Sequence, residues 1–212
     1  MAGVDRNCNY VKVHVLTRTR DLLCISQISL PSRYAIWKMP FSDNTFDAIF
    51  AIEATCHAPD ARDCYNEIYR VLKPRQCFAT YEWCITESFD PLNQEHRRIK
   101  GEVELGNGLP ELGQCLEALQ LAGFEVIWEK DVAVASLLPW YLPLDKNQLS
   151  PSSFRVTAVG RFITRNMFLH LAPDGSQRVQ AFLEKAADAA VEGGRTGIFT
   201  PMYFFLARKP LL

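Results

Sequence analysis

The sequence predicts an open α/β sheet, because strands and amphipathic helices alternate along the chain. Two mostly apolar runs, Phe46–Ala54 and Cys77–Tyr81, flank one amphipathic helix within about 35 residues, which is the size of a right-handed crossover unit. A further helix and strand follow each other twice towards the carboxyl end, with residues 140–194 predicted as an insertion or cap before the last strand.

Composition bounds the class of protein. The chain has 212 residues, of which 48% are apolar and 22% charged, as in ordinary globular domains. Its net charge of -1, without a basic stripe, argues against nucleic-acid binding. No apolar run approaches the roughly 18 residues that span a bilayer. Seven cysteines without a CxxC pair indicate reduced thiols and predict no metal site.

The first elements differ in clarity. Alternating valines predict a short strand over residues 8–15, whereas residues 16–37 have no clean period and are predicted to form no core element. The run Phe46–Ala54 is apolar on both faces, which is typical of a strand buried in a parallel sheet.

The helices follow from spacing and end signals. Asp60 is predicted to cap a helix that stops at Pro74, and Gly123 to end a second one that begins at Leu112. The last helix is predicted to close at Gly193-Gly194 before a strand over 198–207. Its apolar face comprises Val179, Phe182, Leu183, Ala186, Ala187 and Ala190.

Ligands of open α/β sheets bind beyond the carboxyl ends of the strands. Two segments occupy such ends here, Glu53–His57 after the first long strand and Tyr81–Trp83 after the next. Both contain carboxylate and aromatic or imidazole side chains. The sequence therefore predicts a site where these two segments meet.

Several stretches carry a family resemblance. Residues 39–74 resemble the class I S-adenosylmethionine-dependent methyltransferases, and AIEATCHAPD (51–60), YEW (81–83), GNGLPE (106–111) and PWYLPLD (139–145) resemble the sterol 24-C-methyltransferases. SSFRVTAVGRFITRNM and FTPMYFFLARKP are most similar to the plant cycloartenol-type enzymes. The resemblance implies an incomplete class I methyltransferase (Rossmann-like) sheet with a C-terminal sterol-methyltransferase cap region. It divides the chain into an atypical segment 1–37, the methyltransferase part 38–138 and the C-terminal region 139–212.

Two departures accompany the resemblance. The family's glycine-rich turn and its acidic ribose partner have no counterpart here, and residues 13–37 are an unmatched insert or a gene-model artefact. We therefore expect this chain alone to bind S-adenosylmethionine weakly or not at all.

The resemblance implies a reaction in which a sterol side-chain alkene attacks the sulfonium methyl group and the resulting carbocation loses a proton. Aromatic faces and carboxylates stabilise such a cation. The implied catalytic residues are Glu82, Glu53, Tyr81 and His57. Met39, Pro40, Phe41, Glu53 and His57 are implied to bind the cofactor, and Tyr81, Trp83, Trp140 and Tyr141 the substrate.

Structural roles stay open for these residues. Glu82 could pair locally, His57 could bond to backbone, and Trp140 and Tyr141 could simply pack in the cap. Glu53 lies on an apolar run, where a buried carboxylate needs a partner or a task. Conversely, Glu82→Gln is expected to lower turnover while sparing cofactor affinity.

The resulting expectation is sterol C-24 methylation with S-adenosyl-L-methionine and a cycloartenol-like sterol. The alternatives are a non-catalytic remnant that acts as a binding or partner subunit, and methylation of another lipid or quinone. The expected location is the cytoplasm or the cytoplasmic face of the endoplasmic reticulum, with peripheral membrane contact and homo-oligomer formation left open.

Overall fold

The computed structural model describes residues 10–19, 22–31, 39–58, 60–104, 109–147, 154–164, 166 and 175–211. Within them a six-stranded sheet has the strand order β2-β1-β3-β4-β6-β5. The strands are β1 (Tyr10–Thr19), β2 (Leu22–Pro31), β3 (Phe46–Ile52), β4 (Leu72–Ile85), β5 (Glu125–Asp131) and β6 (Phe199–Arg208). The predicted α/β sheet is confirmed.

The chain divides into two compact units. The first comprises residues 1–84, 109–132 and 201–212, and the second comprises residues 85–108 and 133–200. In the first unit, helices α1 (Ala61–Val71) and α3 (Leu112–Leu121) cover one face of the sheet. The core there includes the buried side chains of Ile49, Phe78, Tyr65, Ile68, Leu119 and Phe205.

Helix α1 begins as predicted. The Asp60 carboxylate accepts hydrogen bonds from the backbone N–H groups of Arg62 (2.8 Å) and Asp63 (3.2 Å), so it satisfies two donors that have no partner inside the helix. The chain leaves α1 at Leu72 and enters β4 directly, before Pro74.

Strand β3 has a different neighbour on each side. It runs parallel to β4, with Ile52 opposite Tyr81, and antiparallel to β1. The prediction that residues 16–37 form no sheet element is wrong, because Leu16–Thr19 continue β1 and Leu22–Pro31 form β2, paired along its whole length with β1. Backbone hydrogen bonds in a hairpin do not need a regular side-chain period, so the pattern missed this strand. Residues 8, 9, 20, 21 and 32–37 lie outside the described part.

The second unit contains α2 (Gln94–Val103), α4 (Ala158–Ile163) and α5 (Ser176–Thr196). The prediction that α5 closes at Gly193-Gly194 is wrong, since it continues to Thr196 and is capped by Gly197 at φ 75°. A Cβ atom at Gly193 would lie 2.8 Å from Phe199 Cβ. Gly193 therefore permits close packing and does not end the helix.

The predicted apolar face of α5 is buried only in part. Val179, Phe182 and Leu183, in its first half, are each at least half exposed, whereas Ala189 and Val191 are buried. The first half of this face thus contributes little to the core of the second unit.

Candidate functional site

The structure brings together the two segments that the sequence places at strand ends. The backbone N–H of Glu53 donates to the Tyr81 carbonyl at 2.9 Å, directly after the paired residues Ile52 and Tyr81. The chain then forms a 3-10 turn, Thr55–His57, beside β4. The carboxyl ends of two parallel strands therefore meet here, as expected for a ligand site in an open sheet.

Glu82 is fully buried and fastens this turn to β4. One carboxylate oxygen, Oε1, accepts the Thr55 hydroxyl, the Thr80 hydroxyl at 2.5 Å and the Thr55 backbone N–H at 3.3 Å. The other, Oε2, accepts the Cys56 backbone N–H at 2.8 Å. The Tyr65 hydroxyl lies 3.2 Å from Thr55 Oγ1, so it can donate to the hydroxyl that itself donates to Glu82.

Burial and hydrogen bonding act on the Glu82 carboxyl in opposite directions. Loss of hydration raises its pKa, while the hydrogen bonds from Thr55, Thr80 and Cys56 favour the charged form and lower it; the balance is a raised pKa. Burial also raises the pKa of the adjacent Cys56 thiol. Cys56 is therefore not a thiolate nucleophile.

Tyr81 and Glu82 lie on opposite faces of β4. Thr80, Glu82 and Cys84 are buried on the side of α1 and α3, and the intervening residues are half-buried on the other side. The Tyr81 ring packs edge-on against Phe204, with 4.9 Å between centroids. The structure thus does not bring Tyr81, Glu82 and Trp83 around one pocket, and strand alternation alone could have shown this.

Glu53 occupies the bend after β3 rather than the strand. It is exposed and adopts φ 49°, a left-handed conformation that is uncommon for residues other than glycine. The argument that its carboxylate is buried on an apolar strand is therefore wrong. A non-glycine residue held in this conformation at a strand end is a feature that clusters at functional sites.

Met39, Pro40 and Phe41 lie at the other end of α1. The Met39 N–H donates to Glu67 at 2.5 Å, and Arg70 donates to the carbonyl oxygens of Met39 (3.1 Å) and Phe41 (2.8 Å). Glu67 and Arg70 pair with each other at 2.6 Å in the last two turns of α1, whereas Glu53–His57 precede its first turn. These two groups of predicted cofactor residues are therefore not brought together.

Sequence reasoning missed Glu67 and Arg70. Their only signal is an acid and a base three residues apart on α1, a spacing that is common on solvated helix faces. Here the pair also fixes the segment that precedes β3, since Arg70 reaches Asp43 at 2.6 Å as well.

The remaining predicted residues lie apart from one another. His57 ends the 3-10 turn, and its side chain is outside the described set. Trp140 and Tyr141 belong to the second unit, where their rings stack edge-to-face 5.6 Å apart. A Cβ atom at Gly194 would lie 2.8 Å from Trp140 Cζ2, so both rings pack tightly on α5.

Two searches concern the described residues only. None of their helices is long and apolar enough to cross a membrane. Nor do three or more of their histidine, cysteine, aspartate and glutamate side chains group closely enough to hold a metal ion.

Two family models match separate parts of the chain. Residues 14–80 match the family described as methyltransferase domain, and residues 152–211 match the family described as sterol methyltransferase C-terminal. Both matches agree with the positions of the quoted motifs.

Curated relatives match over most of the chain. The cycloartenol-C-24-methyltransferase of Arabidopsis thaliana is 61% identical over 99% of this chain, which covers 59% of that protein. The sterol 24-C-methyltransferase of Saccharomyces cerevisiae is 46% identical over 82% of this chain, covering 49% of that protein. The chain thus spans about half to three fifths of the length of these relatives.

Solved structures support the fold. The geranyl diphosphate C-methyltransferase of Streptomyces coelicolor A3(2), solved with S-adenosyl-L-homocysteine, matches 83% of this chain and 50% of its own chain, with a TM-score of 0.52 and 17% identity. At this identity the likeness concerns the fold alone.

Proposed function

Because this chain is related to the sterol C-24-methyltransferases, we propose that it serves the methylation of a sterol side chain at C-24 with S-adenosyl-L-methionine as methyl donor. The observation that carries the proposal is the identity of 61% to the Arabidopsis enzyme along 99% of the chain. Since the chain spans only part of that enzyme, the activity, the substrate and the cofactor are proposals for this chain.

The carboxyl ends of β3 and β4 suit a positively charged ligand. Glu53 offers an exposed carboxylate and Tyr81 a half-buried aromatic ring on adjacent backbone, and both kinds of group attract cations. S-adenosylmethionine would supply an electrophilic methyl group there. Met39 and Phe41 would contribute apolar contact only, because the Met39 N–H and both carbonyl oxygens are bonded to Glu67 and Arg70.

The residues divide into two roles. Glu53 and His57 are the candidates to take the proton that the methylated sterol releases, and Tyr81 is the candidate to stabilise the cation that precedes this step. Glu82 is proposed as a positioning residue, since its oxygens bind the 3-10 turn and face α1 and α3. Trp83, Trp140 and Tyr141 remain proposed sterol contacts.

A sterol substrate makes membrane contact a further proposal. Val134, Leu137 and Leu138 of the second unit are largely exposed apolar side chains in one short segment, with exposed fractions of 72%, 103% and 68%. Such clusters occur at lipid and protein contacts. We place this contact at the cytoplasmic face of the endoplasmic reticulum, and self-association remains a proposal as well.

A chimera tests the proposed function. The matching region of the Arabidopsis enzyme is replaced by this chain, and the chimera receives methyl-labelled S-adenosylmethionine with cycloartenol or a quinone. Labelled C-24-methylated sterol is expected. Label in the quinone alone would support the other methyltransferase reading, and sterol binding without transfer would support a non-catalytic binding subunit.

A further inference from the structure

Four strands of the first unit share an apolar face on the side opposite α1 and α3. We call it the open face and define it by Ile52 (β3), Tyr81 (β4), Trp128 (β5), and Phe204 and Leu206 (β6). The Phe204 ring lies 4.9 Å from the Tyr81 ring and 5.1 Å from the Trp128 ring, measured between centroids. These contacts join the strands into one continuous aromatic surface.

Burial differs sharply between the two faces of these strands. On the helix side, Ile49, Thr80 and Phe205 are at most 1% exposed. On the open face, Tyr81, Phe204 and Leu206 are only half-buried, while Ile52 and Trp128 are 54% and 49% exposed. Because apolar surface in contact with water is unfavourable, an aromatic sheet face of this kind marks an interaction surface.

The chemistry of the occupant follows from the strand arrangement and from the length of the relatives. Strands β3 and β4 are parallel, and parallel strands are normally covered by helices on both faces. Both long helices described in the first unit, α1 and α3, pack on the buried face. The Arabidopsis relative has about two fifths of its length outside the match, since this chain covers 59% of it.

We propose that the open face binds apolar helix surfaces from that unmatched part of a sterol methyltransferase, supplied as a separate polypeptide. The contact would bury Ile52 and Trp128 and enclose the Tyr81–Phe204–Trp128 ring cluster. This inference concerns assembly and does not depend on catalysis by the chain, so its test is independent of the chimera.

The test uses the full chain and the unmatched part of the Arabidopsis enzyme, produced as a separate fragment. Titration calorimetry should show saturable binding, and the double variant Ile52→Gln/Trp128→Gln should bind at least tenfold more weakly. The matched control is Leu92→Gln, which changes a side chain that is 88% exposed in the second unit. Its affinity should equal that of the unmodified chain. Absence of binding, or equal affinity in the double variant and the control, would overturn the proposal.

A second measurement covers the case in which the double variant does not fold. A photoreactive phenylalanine analogue at position 128 should crosslink to the fragment, and the same analogue at position 92 should not. Sedimentation of the chain alone addresses a second copy as the occupant. A dimer of the chain that the fragment cannot displace, crosslinked through position 128, would contradict the proposed partner.

Discussion

Replacing Glu82 by glutamine tests whether this carboxylate holds the turn after β3. In either orientation, the glutamine amide directs its NH₂ group at a backbone N–H that now has an acceptor, that of Cys56 (2.8 Å) or of Thr55 (3.3 Å). The Thr55 and Thr80 hydroxyls can rotate to compensate, but the backbone N–H cannot. A buried donor without an acceptor costs about 1–3 kcal/mol, and we expect the free energy of unfolding to fall by that amount.

The pH dependence gives this prediction a sign. Burial raises the pKa of Glu82 in the folded chain above its unfolded value. The contribution of the carboxyl group to stability is therefore complete below the unfolded pKa and is lost as the pH rises through the folded pKa. Glutamine does not titrate, so the stability difference between the unmodified chain and Glu82→Gln should shrink as the pH rises from about 5 to about 8.

Urea unfolding of both proteins at several pH values measures this difference, followed by far-UV circular dichroism. The matched control is Glu53→Gln, because Glu53 carries the same chemical group in an exposed position. Its cost should stay within about 0.5 kcal/mol, as is usual for surface substitutions. Equal costs at positions 53 and 82, or a difference that grows with pH, would refute the reasoning.

Three further predictions follow from the structure. Gly194→Ala should lower the free energy of unfolding of the second unit by about 1–3 kcal/mol, because the new methyl group overlaps Trp140 and Tyr141; Gly101→Ala, with no atom within 4 Å of the new Cβ, should be neutral or stabilising in urea titrations, and equal losses would contradict the packing. Asp60→Ala should cost about 1 kcal/mol through loss of the α1 cap, while Asp60→Asn should retain most of it; equal melting curves for all three proteins would argue against the cap. Calorimetric titration of S-adenosylmethionine into the unmodified chain should show no micromolar binding, since several missing polar contacts at about 1–3 kcal/mol each remove that affinity; a micromolar dissociation constant would contradict it.

The sequence predicted the elements whose signals are local. Helix α1 has a capping aspartate, an apolar stripe that includes Tyr65 and Ile68, and a proline beyond its end, and the structure agrees on all three. Helix α2 was not predicted, because it buries only Ile99 and Val103 and is otherwise polar. Its Arg98 instead pairs with Glu95 and Glu102 on the same helix and with Glu192 on α5.

The candidate site was predicted in position more than in detail. Strand ends located the junction of Glu53 and Tyr81, because parallel pairing follows from the crossover unit. The hydrogen bonds of Glu82 to Thr55 and Cys56 join residues 26 and 27 positions apart, and no local pattern reports such contacts. The left-handed conformation of Glu53 carries no sequence signal either, since glycine is the residue that usually marks it.

Hydrogen exchange on the chimera with the Arabidopsis enzyme tests the position of the site most directly. Addition of S-adenosylmethionine should slow exchange in residues 53–57 and 80–83, because the ligand is proposed to bind where β3 and β4 end. The Glu53→Gln chimera should show weaker protection in the same peptides. Protection of other segments, with residues 53–57 and 80–83 unchanged at saturating ligand, would contradict the account.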